Sequence, residues 1–119
     1  LGLSTQAFAE AQALVAGWGA ELVVLLVPTR EEVYARWIEP SLGTEWLEKL
    51  ASARAAMHEL CAQLGLRCYD PTAELQALAE AGEILYYADD MHFNAAGNAR
   101  LAELLQAYLA AEGLLPGDS

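Results

Sequence analysis

The chain has 119 residues and a mass of 12.8 kDa, which is the usual size of one domain. Six Lys and Arg residues face 17 Asp and Glu residues, so the formal net charge at pH 7 is −11. Because binding to nucleic acids and anionic lipids depends on clustered Lys and Arg, this charge argues against both partners. Hydrophobic residues make up 55% of the chain, enough for a packed core, yet no apolar run is long enough for a transmembrane segment.

The N-terminal residues lack the features of a natural protein start. The sequence opens Leu1-Gly2-Leu3-Ser4, without an initiating Met, a basic segment or a signal-like apolar stretch. We therefore expect residues 1–119 to be a single domain that forms part of a longer protein. The residues leave the compartment undetermined, and an extracytoplasmic or membrane-associated parent protein is compatible with them.

The first two predicted elements are a helix and a strand. Apolar residues at helical spacing predict a helix over about 5–16, capped by Ser4 or Thr5. The continuous apolar run 22–27 is ended by Pro28 and is typical of a strand buried on both faces. Such strands belong to parallel sheets that helices cover.

Two helices are predicted next, separated by a break. Thr29 and Glu32 have the spacing of a capping box, which predicts a short helix to about Trp37. A longer helix is expected to start with Thr44 as its cap and to end at Gly65. The residues predicted to break the helical pattern between them are Pro40, Ser41 and Gly43.

The second half of the chain repeats the alternation of strand and helix. Residues 66–70 read as a short strand, and Thr72 is expected to cap a helix that continues to Gly82. A weak strand is predicted over 84–87. Asn94 is the expected cap of a final amphipathic helix.

This alternation predicts an α/β fold with a parallel sheet. Two strands and a weak third are too few to pair both edges of a strand as apolar as 22–27. We therefore expect the missing strands to come from an N-terminal segment, from a second copy of the chain, or from a companion chain. Gly97 would allow the final helix to approach the sheet closely.

Cys61 and Cys68 are the only cysteines. Their spacing fits neither a zinc site nor a redox CxxC motif. Buried free thiols are the preferred interpretation, since free Cys is often buried. A disulfide between the long helix and the second strand is the alternative.

The chemically richest segment runs from Tyr87 to Asn94, directly before a helix. It reads Tyr87-Ala88-Asp89-Asp90-Met91-His92-Phe93-Asn94. A carboxylate two or three positions before a His can reach the Nδ1 proton of the ring. This fixes the tautomer, leaves Nε2 as a base and stabilises the imidazolium that forms when the base takes a proton.

Residues 89–98 resemble the last block of the SGNH (GDSL-type) hydrolases, in which an Asp and a His complete the catalytic site before the C-terminal helix. Residues 22–34 are similar to a late strand and its loop in SGNH-like proteins, including the alginate O-acetyltransferases. The resemblance covers most of the chain. It implies a partial three-layer α/β/α fold, SGNH- or flavodoxin-like, that lacks the N-terminal strands, and it makes the chain the C-terminal part of such a domain.

The resemblance implies that His92 is the general base, which takes a proton from a serine and returns it to the leaving alcohol. Asp89 has the DxxH spacing of the family, whereas Asp90 has the DxH spacing of SGNH-like acetyltransferases. We favour Asp89 slightly over Asp90 as the residue that orients His92. Phe93 is expected to anchor the loop in the core, and Asn94 to cap the last helix.

In the family that the chain resembles, the nucleophilic serine lies in a Gly-Asp-Ser block, which is expected upstream of residue 1. The implied substrate is a small-molecule or carbohydrate O-acyl ester, cleaved by water or transferred to a hydroxyl. No cofactor and no metal is implied. We expect none of the serines to have a Gly-Asp-Ser setting or to lie on a strand-to-helix turn, so we nominate none as nucleophile: Ser4, Ser41, Ser52 and Ser119.

Each candidate residue also has a structural interpretation. Asp89 and Asp90 could form a solvated charge pair at a helix start. Asp70, at the end of a predicted strand, lies where α/β proteins bind ligands, but strand termination before Pro71 explains it equally well. His58 is expected to be partly exposed and non-catalytic. A metal site at His92 is disfavoured because its oxygen-rich neighbours lack a recognised ligand spacing.

Two functions therefore follow from the sequence. The first is the C-terminal part of a serine esterase or lipase-like SGNH hydrolase, or of an SGNH-like polysaccharide O-acetyltransferase, which supplies His92 and Asp89 or Asp90. By itself the chain is then expected to be inactive, because the nucleophile block is missing. The second is a non-catalytic α/β scaffold that binds a partner or a second copy through a sheet edge.

Overall fold

The computed structural model describes residues 2–116. The N-terminal half of this part holds α1 (Gly2–Gly17), β1 (Val23–Leu25), α2 (Arg30–Val33), α3 (Ala35–Leu42) and α4 (Thr44–Leu64). The C-terminal half holds β2 (Arg67–Tyr69), α5 (Thr72–Glu80) and α6 (Ala95–Ala111). Leu1 and the serine at 119 lie outside the described residues.

The two strands pair in parallel, with Val24 opposite Cys68 at the centre of the register. A mostly helical chain with a small parallel sheet confirms the predicted partial α/β fold. Both strands are shorter than predicted from residues 22–27 and 66–70. The predicted strand over 84–87 is wrong: Tyr86 instead forms an isolated antiparallel bridge with Phe93, because the chain turns back on itself before α6.

Three helix caps predicted from the sequence are present in the structure. Thr29 and Glu32 form a complete capping box at the start of α2. Gly65 ends α4 in the left-handed conformation, with φ of 63°. The Asn94 side chain caps α6 by accepting a hydrogen bond of 2.8 Å from the backbone nitrogen of Gly97.

Other helix boundaries differ from the prediction. Helix α1 already begins at Gly2, so Ser4 and Thr5 lie inside it rather than capping it. Pro40 lies within α3 instead of breaking the helix, although proline cannot donate a backbone hydrogen bond. Gly43, at φ of 80°, takes the cap position before α4, which makes Thr44 the first helical residue. Similarly, Thr72 begins α5 instead of capping it.

The cysteines form a disulfide, so the preferred prediction of free thiols is wrong. Cys61 on α4 is bonded to Cys68 on β2, with their Cα atoms 6.2 Å apart. Seven positions separate the two residues, and the left-handed Gly65 turns the chain between them. The disulfide fastens the end of α4 to the strand whose carboxyl end carries Asp70.

The core lies beneath the segment that carries His92. Its buried members come from α2, α5 and the segment before α6, and are Val33, Leu75, Ala79, Leu85 and Tyr86. Gly97 lies against this core: a Cβ there would be 2.0 Å from the carbonyl oxygen of Leu85. The predicted close approach at Gly97 is therefore present, but its partner is the Leu85 backbone and not a sheet strand.

Candidate active site

His92 lies at one end of a short hairpin between α5 and α6. The Tyr87 nitrogen donates to the His92 carbonyl at 3.2 Å, and the Asn94 nitrogen donates to the Leu85 carbonyl at 3.0 Å. Below these bonds the rings of Tyr86 and Phe93 stack, with centroids 4.5 Å apart. Phe93 thus anchors the hairpin in the core, and Asp89 to His92 form its exposed tip.

At this tip a carboxylate of Asp90 is paired with His92. Oδ1 of Asp90 lies 2.5 Å from Nδ1 of His92 and also accepts a hydrogen bond of 3.0 Å from the His92 backbone nitrogen. Two donors of one residue thus converge on one oxygen, which fixes the orientation of the ring. Nε2 of His92 makes no hydrogen bond to any residue between 2 and 116, and the side chain is 78% exposed.

Asp90 is ionised more readily than an ordinary aspartate. Hydrogen bonds from the side chain and the backbone of His92 lower the pKa of Asp90. A carboxylate at Nδ1 favours the neutral tautomer that carries its proton on Nδ1, so that Nε2 can act as a base. Asp89 is exposed and makes no hydrogen bond or ion pair within the described residues.

The hairpin tip is tied to α2, which follows the carboxyl end of β1. Nη1 of Arg30 donates to the backbone carbonyl of Asp90 at 3.1 Å, across 60 positions of sequence. Nη2 of the same guanidinium is paired with Glu31 at 3.3 Å. The carboxyl ends of parallel strands are where α/β proteins place their ligands. His92 therefore lies in a region suited to a binding or catalytic site.

A tyrosine at the end of α2 holds the base of the hairpin. The hydroxyl oxygen of Tyr34 accepts hydrogen bonds from the backbone nitrogens of Leu85 and Tyr86, at 3.0 and 3.3 Å. The Tyr86 hydroxyl in turn donates to the Pro28 carbonyl at 3.3 Å. Burial raises the pKa of Tyr86, so its hydroxyl stays protonated as a donor.

A second polar cluster lies at the carboxyl end of β2. Arg54 forms a two-pronged ion pair with Glu32, at 2.8 and 2.9 Å, and a third bond to Asp70 at 3.1 Å. Asp70 also accepts from both the nitrogen and the hydroxyl of Thr72, and its other oxygen lies 2.8 Å from Nε2 of His58. These contacts join α2, α4 and β2.

The carboxylates of this cluster are held ionised. Burial alone would raise the pKa of Glu32, but hydrogen bonds from Arg54 and Thr29 outweigh it and lower the pKa. Asp70 behaves likewise: burial opposes its ionisation, and hydrogen bonds from Thr72 and His58 lower its pKa. Through these contacts the cluster links α2, α4 and the segment after β2.

His92, Asp89 and Asp90 are the candidates that the sequence predicts, and the sequence did not single out Arg30 or Tyr34, which contact the hairpin. Only Arg30 had a visible signal, because it follows the predicted cap at the end of β1. Within residues 2–116, no group of three or more His, Cys, Asp or Glu residues is arranged to hold a metal ion. In the same part of the chain, no helix has the length and apolarity needed to cross a membrane.

Comparison with known protein families identifies the family of the chain. A family model described as "SGNH hydrolase-like domain, acetyltransferase AlgX" matches residues 3–118. The chain belongs to this family. The match confirms the resemblance to SGNH-like O-acetyltransferases and gives the chain the scaffold of an acyl esterase or acetyltransferase. No curated protein and no solved structure matches the chain.

An acyl or carbohydrate substrate fits the AlgX-type family. The prediction that no serine lies in a Gly-Asp-Ser setting is wrong. Ser119 follows Gly117 and Asp118, which is the tripeptide of the nucleophile block in the SGNH proteins that the chain resembles. These three residues lie outside the described part of the chain, so a chemical labelling experiment tests whether Ser119 is a nucleophile.

Proposed function

We propose that the chain is the C-terminal part of an SGNH-type acyl-transfer domain, in which His92 is the general base and Asp90 its positioning carboxylate. The observation that carries this proposal is the contact of 2.5 Å between Asp90 Oδ1 and His92 Nδ1. Asp89 was slightly favoured by family spacing, but its lack of contact with His92 supports Asp90 for this role. The scaffold of the AlgX-type family supports acyl chemistry.

In this mechanism the proton moves between oxygen and Nε2 of His92. Nε2 takes the proton of a serine hydroxyl as the serine oxygen forms a bond to the ester carbonyl carbon. The tetrahedral intermediate then breaks its bond to the alcohol, which leaves with the proton from Nε2. Water or a carbohydrate hydroxyl attacks the acyl-serine by the reverse steps. Asp90 stabilises the imidazolium in each half-reaction.

The first test removes the base in the complete protein. His92→Ala should lower the turnover of an O-acetyl ester by about 10³-fold or more, as loss of a triad residue does in serine hydrolases. His58→Ala is the matched control, since it removes the chain's other histidine, which is paired to Asp70 in the structural cluster. Near-normal turnover by His92→Ala would refute the proposal.

The second test locates the nucleophile. A serine-reactive fluorophosphonate should leave the 119-residue chain unlabelled, because we expect the serine to come from a segment outside it. Stoichiometric labelling that disappears in Ser119→Ala would assign the nucleophile to Ser119 and overturn this expectation. Labelling that persists in Ser119→Ala would point to one of the other three serines.

The charges of the chain favour an uncharged ester over an anionic one. Five of the six basic side chains are paired with acidic residues, and Arg36 is the exception within residues 2–116. Asp89 and Asp90 add negative charge beside His92. A polyanionic substrate would therefore meet repulsion at this face. We expect a higher kcat/KM for a neutral acetyl ester than for its carboxylated analogue, with the difference shrinking at high salt.

A non-catalytic binding role is the second candidate. The observation that favours it is the two-stranded sheet, in which each strand has one hydrogen-bonded neighbour among the described residues. Unpaired strand edges can bind another chain. Light scattering discriminates between the two functions: a dimer at micromolar concentration would favour strand pairing between copies, and a stable monomer would count against it.

A further inference from the structure

The hairpin that carries His92 is small, and only part of what holds it in place lies within it. Its tip, from Asp89 to His92, is exposed, and one backbone bond closes it, from the Tyr87 nitrogen to the His92 carbonyl. A second backbone bond, from the Asn94 nitrogen to the Leu85 carbonyl, closes the base of the hairpin, and further bonds to its backbone come from Arg30 and Tyr34. An exposed two-stranded turn of this kind is only marginally stable in water unless other elements hold it.

Helix α2 supplies those external bonds at both ends of the hairpin. At the tip, Arg30 donates to the carbonyl of Asp90, the residue that holds His92 Nδ1. At the base, the Tyr34 hydroxyl accepts two consecutive backbone N–H groups, those of Leu85 and Tyr86. Since the two residues are four positions apart, one turn of α2 spans the distance between them.

Helix α2 is itself held from outside. Its four residues are too few for a helix that is stable by itself. The capping box fixes its first turn, and Arg54 donates two hydrogen bonds to the capping carboxylate of Glu32. The amide of Gln76 on α5 donates to the Glu32 carbonyl at 2.9 Å. A short helix fixed in this way can hold a neighbouring loop in a defined position.

We propose that Arg30 and Tyr34 are positioning residues for the Asp90–His92 pair. Arg30 fixes the backbone of Asp90 so that its carboxylate meets Nδ1, and Tyr34 fixes the strand segment from which the hairpin rises. The relevance of this positioning to acyl transfer rests on the proposed function, whereas the positioning itself is a property of the chain. A displacement of about 1 Å in catalytic geometry can lower a rate by about 10²-fold.

The test measures the tautomer of His92 by ¹⁵N NMR of the full chain, at a pH where the ring is neutral. The wild-type ring should carry its proton mainly on Nδ1. In Arg30→Gln and in Tyr34→Phe, the ratio of the Nδ1–H to the Nε2–H form should fall by roughly fivefold, the change that corresponds to one net hydrogen bond. Arg30→Lys, which keeps one donor, should restore part of the ratio.

Two matched controls separate positioning from general effects. Arg36→Gln removes the same charge from a side chain that has no partner among the described residues. Tyr87→Phe removes an exposed hydroxyl from the hairpin itself. Both should keep the wild-type tautomer ratio. Circular dichroism checks that each variant is folded. If Tyr34→Phe unfolds, Arg30→Gln still tests the proposal, because it removes a contact at an exposed position.

The outcomes distinguish this inference from the proposed function. A wild-type tautomer ratio in folded Arg30→Gln and Tyr34→Phe overturns the positioning role, whatever the activity of His92→Ala. A fall in the ratio supports the positioning role even if His92→Ala keeps full turnover, a result that would refute only the catalytic proposal. If both proposals hold, Arg30→Gln lowers kcat by about tenfold in the complete protein while KM changes less.

Discussion

The most sharply defined perturbation in this chain is Gly97→Ala, in the first turn of α6. A Cβ at this position would lie 2.0 Å from the Leu85 carbonyl oxygen and 2.7 Å from Cδ1 of Phe93. The nearest atom belongs to the backbone, so rotation of a side chain cannot relieve the clash. Either α6 or the hairpin must move by about 1 Å, and the bond from the Asn94 nitrogen to the same Leu85 oxygen would be strained.

The magnitude follows from two opposing effects. Alanine in a helix is favoured over glycine by about 1 kcal/mol, which works against the clash. Overpacking of a fixed site costs about 1–3 kcal/mol, and a backbone clash this close belongs at or above the upper end. We therefore expect a net loss of about 2 kcal/mol in the free energy of unfolding. For a chain of this size, the loss corresponds to a fall of roughly 8 °C in Tm.

The assay is thermal and urea unfolding followed by circular dichroism, with Gly17→Ala as the matched control. Gly17 also lies in a helix, but a Cβ there would meet no atom within 4 Å. This control should leave stability unchanged or raise it by up to about 1 kcal/mol. A Gly97→Ala variant as stable as the wild type would refute the packing of α6 against Leu85, and with it the described position of the hairpin.

Three further predictions concern stability. Arg54→Met should lower the free energy of unfolding by about 2 kcal/mol at pH 7, because it leaves the carboxylates of Glu32 and Asp70 without the Arg54 cation. The pKa values of Glu32 and Asp70 in the folded chain are lowered from 4.5 and 3.8. The stability that the two carboxylates contribute is therefore present above pH ~5 and lost in more acidic solution. Urea titrations should therefore show the gap between Arg54→Met and the wild type closing between pH 5 and 3, whereas a constant gap would contradict this pairing. Replacing Cys61 and Cys68 by alanine should lower the free energy of unfolding by about 2 kcal/mol, the entropic contribution expected for a loop closed over 7 residues. An unfolding midpoint that stays unchanged after reduction would argue against the disulfide. Asn94→Ala should cost about 1 kcal/mol through loss of the α6 cap, and Asn94→Asp, which keeps the accepting oxygen, should recover most of it.

The sequence predicted those features whose cause lies within a few residues. The capping box of Thr29, the left-handed end of α4 at Gly65 and the Asn94 cap each depend on one side chain and its own turn. The apolar run 22–27 likewise predicted a strand in a parallel sheet, but its predicted burial on both faces is wrong, because Val23–Leu25 are only partly buried and pair with one strand within the described residues. Such local signals were sufficient for the α/β class and the position of His92.

The errors fall where distant residues decide the structure. Residues 84–87 have strand-like composition, but Tyr86 bridges with Phe93 across a hairpin. Free thiols and a disulfide are equally compatible with the spacing of Cys61 and Cys68, and their separation in the fold decides between them. Pro40 was predicted to break the helix but lies inside α3.

The site shows the same division between local and distant causes. Both Asp89 and Asp90 are close enough in sequence to reach His92, and the turn of the hairpin tip determines which one does. That turn is fixed in part by Arg30, 60 positions away from Asp90. Sequence spacing could nominate the pair of candidates, but it contained no information about the residue that selects between them.

The proposed role of Asp90 in orienting His92 for acyl transfer is tested most directly by comparing two isosteric variants. Asp90→Asn and Asp89→Asn remove the same charge from adjacent exposed positions, so long-range electrostatic effects are closely matched. In the complete protein, Asp90→Asn should lower kcat for an O-acetyl ester by about 10²-fold or more, and Asp89→Asn should stay within about twofold of the wild type. Equal losses in the two variants, or a larger loss in Asp89→Asn, would contradict the account.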